Sequence, residues 1–475
     1  MDNKLKDEIN FNESGSSGFI TDSTEEEAFE NDEKRSHSDH SHSSSHHHHH
    51  HHHHTHSSKK RRKKTNNNRK DKLKRFIRHN KKYLIYCLIT FVVLLCLTFV
   101  GKYLDGKIGV FSGDEPTLSE NSEENQNLQR IHIDIPFFAE DVEISGSAVM
   151  AFVNAEEGTA VSDIFDQYKT SSNRLDIGRP VEISYEISDL PGGYSVKKAE
   201  FLVADNKEMK NPLVFDSDGY NTKIEVYNLK TGAQYYYQIN LTFNNSAEAS
   251  VGGSFKTAKG PRILNVEGVY NMRDIGGWPT ADGKEIRQGL LYRGCEIDGA
   301  VESKYTITQK GINTMLTVLG IKTDMDLRAE SDNSKGTNAL GASVKHTYYS
   351  APMYMGVFGE KENKESIRRI FSDLSKKSNY PVYLHCTYGQ DRTGTVCFLL
   401  EALLGVEKEN LMKDFYLSGL HHGDVYGAHE GIADFVKTLE KMPGVTMKEK
   451  VEGYLLSIGV TEKEIRNIRN ILLQV

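Results

Sequence analysis

The sequence predicts a multidomain chain: a single transmembrane helix, then an all-β sandwich, then an α/β domain. Three observations predict it. Residues 83–101 carry no charge and are apolar on every side. Residues 180–258 alternate apolar and polar side chains with a period of two. From residue 261 onward, strand-like and helix-like patterns alternate, as in a layered α/β unit.

Composition limits what surrounds these parts. The 475 residues carry 59 Lys+Arg and 66 Asp+Glu, a net charge of −7. Lys59 to Lys82 holds 14 basic residues and one acid, Asp71, whereas residues 105–475 hold 40 basic and 53 acidic ones. So acidic a bulk argues against a nucleic-acid partner. Five scattered cysteines make neither a disulfide framework nor a zinc ribbon.

Taken in order, residues 1–58 are Ser, Asp, Glu, Asn and His with almost no aliphatic content, and read as a disordered tail. Its run from His46 to His54 has no carboxylate or cysteine at ligand-like spacing and reads as low complexity, with weak metal buffering as the alternative and no catalytic metal site expected. Residues 59–82 form a basic juxtamembrane segment. Nineteen helical residues, 83–101, reach roughly 28 Å, about the thickness of a bilayer core. The basic flank on one side then predicts a cytoplasmic N-terminus, with everything after Lys102 outside the cell membrane. Residues 102–128 are a solvated linker.

Residues 129–259 are expected to be the sandwich, clearest over 180–258. Val181, Ile183, Tyr185 and Ile187 alternate with polar neighbours, as do Tyr235, Tyr237, Ile239 and Leu241. Leu229-Lys230-Thr231-Gly232-Ala233-Gln234-Tyr235 resembles the tyrosine corner of fibronectin type III domains. No ligand constellation stands out here, so a spacer or a module that docks a protein partner is expected. Residues 129–179 receive no secondary-structure assignment.

Residues 260–475 carry the chemistry. Between an apolar strand, Tyr380 to Leu384, and a helix marked by Val396, Cys397, Leu399, Leu400, Leu403 and Leu404 lies His385-Cys386-Thr387-Tyr388-Gly389-Gln390-Asp391-Arg392-Thr393-Gly394. A loop closing on a helix N-terminus presents several N–H groups to one point, a ready anion site for residues 387–390, 393 and 394. Arg392 adds a planar fork for two phosphate oxygens. A cysteine held under those groups is expected to be ionised and nucleophilic, so Cys386 is the candidate nucleophile. Thr393 can hydrogen-bond the sulfur when it leaves. Asp391 can protonate the departing oxygen and then deprotonate water. The combination predicts a phosphomonoester hydrolase with a cysteinyl-phosphate intermediate and no cofactor. Cys397 reads as core and Cys295 as an ordinary thiol.

The C-terminal part resembles the bacterial tyrosine phosphatase family related to dual-specificity and lipid phosphatases, whose loop reads His-Cys-x-x-Gly-Lys-Asp-Arg-Thr-Gly. Asn271-Met272-Arg273-Asp274-Ile275-Gly276-Gly277, Leu291-Tyr292-Arg293-Gly294, Asp326-Leu327-Arg328 with Glu330, Leu403-Leu404-Gly405-Val406 and Asp414-Phe415-Tyr416-Leu417 resemble further segments of it. The resemblance spans Val266 to Leu473 and implies a protein-tyrosine phosphatase. The family's loop lysine is Gln390 here, which tilts the substrate toward phosphotyrosine and away from phosphoinositides. His385, Asp326, Arg328, Arg273 and Asp274 are supporting candidates, and Asp326 is the second choice for the acid. Trp278-Pro279-Thr280 resembles a Trp-Pro-Asp loop, but threonine cannot be an acid. The rival readings are a lipid phosphatase, an idle phosphate-capturing module and a sulfurtransferase.

Overall fold

The computed structural model describes residues 117–118, 131–170, 174–328, 338–422 and 428–474, and residues 106–475 make one compact unit. Among the described residues no helix is long and apolar enough to cross a membrane. The helix Lys361–Leu374 is amphipathic: it buries Ile367, Ile370, Phe371 and Leu374 and turns charges outward. The expected transmembrane helix and single-pass membrane location are corrected accordingly. The segment that prompted them, 83–101, lies outside the described residues, as do the expected tail and basic segment. The fold class reduces to a sandwich followed by an α/β domain.

The sandwich strands are β1 (Thr117–Leu118), β2 (His132–Asp134), β3 (Val181–Ser184), β4 (Glu186–Ser188), β5 (Val196–Ala204), β6 (Leu213–Ser217), β7 (Lys223–Val226), β8 (Gln234–Phe243) and β9 (Glu248–Lys256). One sheet runs β1-β9-β8-β5-β6, and the facing layer holds the pairs β2-β4 and β3-β7, every pairing antiparallel. Period-two burial makes the core: Tyr235, Tyr237, Ile239, Leu241 and Phe243 of β8, with Phe201 of the neighbouring β5, are buried in one cluster with Val181 and Ile183 of β3. The Tyr235 hydroxyl accepts the Lys230 amide at 2.9 Å, tying the strand to its preceding loop.

Residues 147–168, placed by sequence inside the sandwich, leave it. They form helices α1 (Ser147–Val153) and α2 (Val161–Tyr168). Ala148, Val149 and Phe152 recur at helical spacing, as do Val161 and Ile164, and these side chains join the core of the α/β domain.

That domain contains β10 (Arg273–Asp274), β11 (Leu291–Gly294), β12 (Thr323–Asp326), β13 (Lys345–Tyr348) and β14 (Val382–His385) in the order β10-β11-β14-β12-β13, parallel except for β10. Its main helices are α3 (Lys361–Leu374), α4 (Asp391–Leu404), α5 (Lys408–Tyr416), α6 (Ala428–Glu440), α7 (Met447–Ser457) and α8 (Glu462–Leu472). Thr446 and Thr461 close capping boxes at the starts of α7 and α8. The sequence reads α4 as one apolar face, but it is buried from Thr393 to Leu404. Register places Gly294, His385 and Asp326 side by side at the carboxyl ends of β11, β14 and β12. Three loops therefore leave the sheet at one edge, where α/β sheets bind ligands.

Candidate active site

The loop from Cys386 to Gln390 joins the central strand β14 to α4. Gly389 sits at φ +69°, and a Cβ there would lie 2.3 Å from the Gly294 carbonyl oxygen, so only glycine fits the turn against β11.

Three consecutive loop carbonyls are held from outside. The Glu296 amide donates to Thr387 O at 2.9 Å, Asn271 Nδ2 to Tyr388 O at 3.0 Å, and Arg293 Nη2 to Gly389 O at 2.9 Å. In a trans peptide the C=O of one residue and the N–H of the next point oppositely. Fixing these carbonyls therefore turns the amides of Tyr388, Gly389 and Gln390 away from the groups that hold them. Backbone N–H groups turned this way are the kind that can cradle an anion.

The donors are themselves anchored by a buried ionic group. Asp414 accepts from Arg273 Nε at 2.9 Å and from Arg293 Nη1 at 2.5 Å, and Arg273 Nη1 donates to Asn271 Oδ1 at 2.6 Å. All four residues are at most 2% exposed. Sequence reasoning placed Arg273 near the site but missed Asn271, Arg293 and Asp414 as its scaffold. Beside them Glu401 is buried with neither carboxylate oxygen hydrogen-bonded among the described residues, and burial, with Asp414 nearby, pushes its pKa well up.

Cys386 is a free thiol, 3% exposed, at the floor of the loop. Thr393 is fully buried, and its Oγ1 has no hydrogen-bond partner among the described residues. Arg392 is half-buried in the first turn of α4, next to Asp391. Burial pushes the other two described thiols upward, Cys295 strongly and Cys397 to about 12, which keeps both as inert thiols.

Asp391 Oδ1 accepts a hydrogen bond from the Tyr354 hydroxyl, a partner no sequence signal announced. Asp326 is engaged elsewhere. Its Oδ1 accepts the Arg328 backbone amide at 2.9 Å, both oxygens accept from Arg328 Nε at 3.0 Å, and Arg328 also reaches Glu296 and Asp298. Fully buried and held by one guanidinium, Asp326 is placed as a strut. Asp274 likewise faces away from the loop, accepting from Arg262 at 2.8 Å and from the Gly276 amide at 2.8 Å. Arg262 in turn donates to Leu229 O at 3.0 Å and Asn228 O at 2.6 Å, fastening the sandwich to the α/β domain.

His385 is 1% exposed, with Nε2 3.0 Å from Asp324 Oδ1, close enough to pair as charges although not aligned as a hydrogen bond. Burial opposes its charged form, but Asp324 and Asp326 outweigh burial and lift its pKa to about 9. Asp324 also holds His346 at 3.1 Å. A histidine raised from 6.5 to about 9 contributes stability fully below pH 6.5 and loses it as pH rises through 9. Thermal melts should therefore fall by several degrees between pH 7 and 9.5, and the fall should shrink in Asp324→Asn. Equal pH dependence in both proteins would refute this linkage.

Residues 264–474 match the tyrosine phosphatase family. A provisionally named tyrosine-protein phosphatase of Cupriavidus necator is 25% identical over 182 residues, covering 34% of this chain and 64% of that protein. A tyrosine-protein phosphatase of Nostoc commune is 24% identical over 197 residues, covering 32% of this chain and 67% of its own. The chain thus spans just under two thirds of the first relative's length. Among solved structures, the core catalytic domain of a PP-IP phosphatase from S. cerevisiae aligns at 13% identity over 34% of this chain and 91% of that one. Its TM-score of 0.23 is too low to build on. These similarities do not support the fibronectin type III resemblance, and the sandwich stands as an architecture only. The likeness of residues 264–474 is therefore to tyrosine phosphatases.

Proposed function

We propose that the chain hydrolyses phosphomonoesters through a phosphocysteine at Cys386, with phosphotyrosyl protein as its substrate. The observation that supports this reading is the set of three externally held carbonyls of Thr387, Tyr388 and Gly389, which leaves the amides that follow them turned away from those contacts, in the loop between Cys386 and Arg392. In the first step Cys386 Sγ attacks phosphorus, the S–P bond forms and the P–O bond to the leaving group breaks. Asp391 gives its proton to the departing oxygen. In the second step a water oxygen bonds phosphorus while its proton goes to Asp391. The S–P bond then breaks, and the released thiolate takes a hydrogen bond from Thr393. Arg392 and the loop amides stabilise the phosphoryl oxygens throughout. Gln390, neutral and 4% exposed, gives the cradle one cation fewer than a lysine would, which favours a phosphotyrosyl ester over a polyphosphorylated inositol. The sandwich serves as a docking module for a protein partner.

The test is hydrolysis by the full chain, with a chelator present, of a phosphotyrosyl peptide against a soluble inositol polyphosphate. Phosphate release from the peptide at least about tenfold faster in kcat/KM is expected, the ratio that roughly 1.4 kcal/mol of discrimination supplies. Preference for the inositol phosphate would overturn the substrate assignment. No turnover of either would overturn the activity.

A further inference from the structure

We infer that Tyr354 is the positioning residue for proton transfer in this site, holding Asp391 so that its free carboxyl oxygen faces the leaving group. The inference deepens the reading of Asp391 as general acid and rests on it. Tyr354 opens the helical turn Tyr354–Phe358 between β13 and α3, a segment without an aspartate or glutamate of its own. It lies at φ +49°, a region that bulky side chains avoid, and such outliers cluster where surrounding structure enforces a working geometry.

Here the enforcing contacts are visible. The Tyr354 amide donates to Thr395 Oγ1 at 3.0 Å, and the same hydroxyl donates to the Asp391 carbonyl at 2.7 Å. The tyrosine ring packs edge-on against Phe415 at 6.1 Å and so closely over Gly431 that a Cβ there would come within 2.6 Å of it. Backbone, ring and hydroxyl are each fixed, and the hydroxyl is aimed at Asp391 Oδ1.

The chemical consequence follows from the donor count. A tyrosine hydroxyl has one proton to give. Burial, and then the Asp391 carboxylate, push its pKa upward, so it remains the donor. With Oδ1 accepting that bond, the transferable proton of the acid form sits on Oδ2. Proton transfer then runs from Oδ2 to the ester oxygen, while the Tyr354 proton stays in place. An acid on a helix terminus gains through this tether the fixed direction that proton transfer needs.

The experiment is a leaving-group series on the full chain: kcat/KM for aryl phosphates from a good leaving group, p-nitrophenyl, to a poor one, phenyl. This quantity reports the steps up to P–O cleavage, where protonation matters only for poor leaving groups. Tyr354→Phe, which keeps the ring, should lose about tenfold or more on phenyl phosphate and less than about threefold on p-nitrophenyl phosphate. Asp391→Asn should show the same selective loss, and the double variant no further loss. Thr395→Val, which releases the same segment without touching the hydroxyl, gives a second reading of the slope should Tyr354→Phe fold poorly. A uniform loss across the series, or none, would overturn the inference while leaving the phosphocysteine reading intact. A wild type inactive on every aryl phosphate would overturn both.

Discussion

Cys386→Ser is expected to lower turnover of p-nitrophenyl phosphate by at least about a thousandfold, with the melting temperature almost unchanged. The loop owes its shape to the carbonyl contacts of Thr387, Tyr388 and Gly389, none of which involves the cysteine side chain. The cradle should therefore survive. What disappears is the nucleophile, since a serine hydroxyl does not ionise near neutrality and its alkoxide is a poor leaving group from phosphorus. The serine variant should still bind phosphate-bearing substrate, which equilibrium binding of a phosphotyrosyl peptide would read. Turnover within tenfold of wild type would rule out the covalent route.

The second large effect is on stability. Asp414→Asn should destabilise the chain by roughly 3 kcal/mol, because it leaves two buried guanidiniums without their shared counter-charge. Asp414 is the acceptor for Arg273 Nε and Arg293 Nη1, and all three side chains are sealed from solvent. Glu401 moderates the loss. Burial first and then Asp414 hold its pKa up, so removing Asp414 eases its ionisation beside the two guanidiniums. The double variant Asp414→Asn with Glu401→Gln should consequently be less stable than the two single effects added together. Denaturant melts of the four proteins measure this directly, and strict additivity would show that Glu401 does not respond. Because Arg293 and Asn271 also hold loop carbonyls, catalysis should fall along with stability.

The ten residues from His385 to Gly394 stand out in the sequence as a candidate site because the proposed nucleophile, amides, acid and arginine are contiguous, with no fold needed to bring them together. The scaffold was not legible for the opposite reason. Arg273 and Asp414 are 141 positions apart and Arg293 and Asp414 are 121, so nothing local marks them as partners. Tyr354 and Asp391 are separated by 37 positions, and a lone tyrosine after β13 carries no periodic signal. Asp326 and Asp274 looked like acid or site candidates because position alone cannot tell a strut from a proton donor. That requires seeing Arg328 and Arg262 occupy their oxygens. The α1–α2 segment did carry a signal, with apolar residues at helical spacing. Short runs of that kind between two strand-rich stretches are easily absorbed into the sheet.

The route of that segment has a mechanical consequence. The chain starts in the sandwich core at Ile131, Ile133 and Ile144, crosses to the phosphatase core at Ala148 to Leu175, and returns to the sandwich at Val181. It crosses again after Phe255 to reach Ile263. A pair of modules strung on one tether can swivel, whereas three covalent crossings leave no axis about which to turn. A load or ligand applied to the sandwich should thus reach the phosphatase half as rigid displacement. A fragment cut at residue 260 would lose part of its own hydrophobic wall, so the two halves should melt as a single cooperative body.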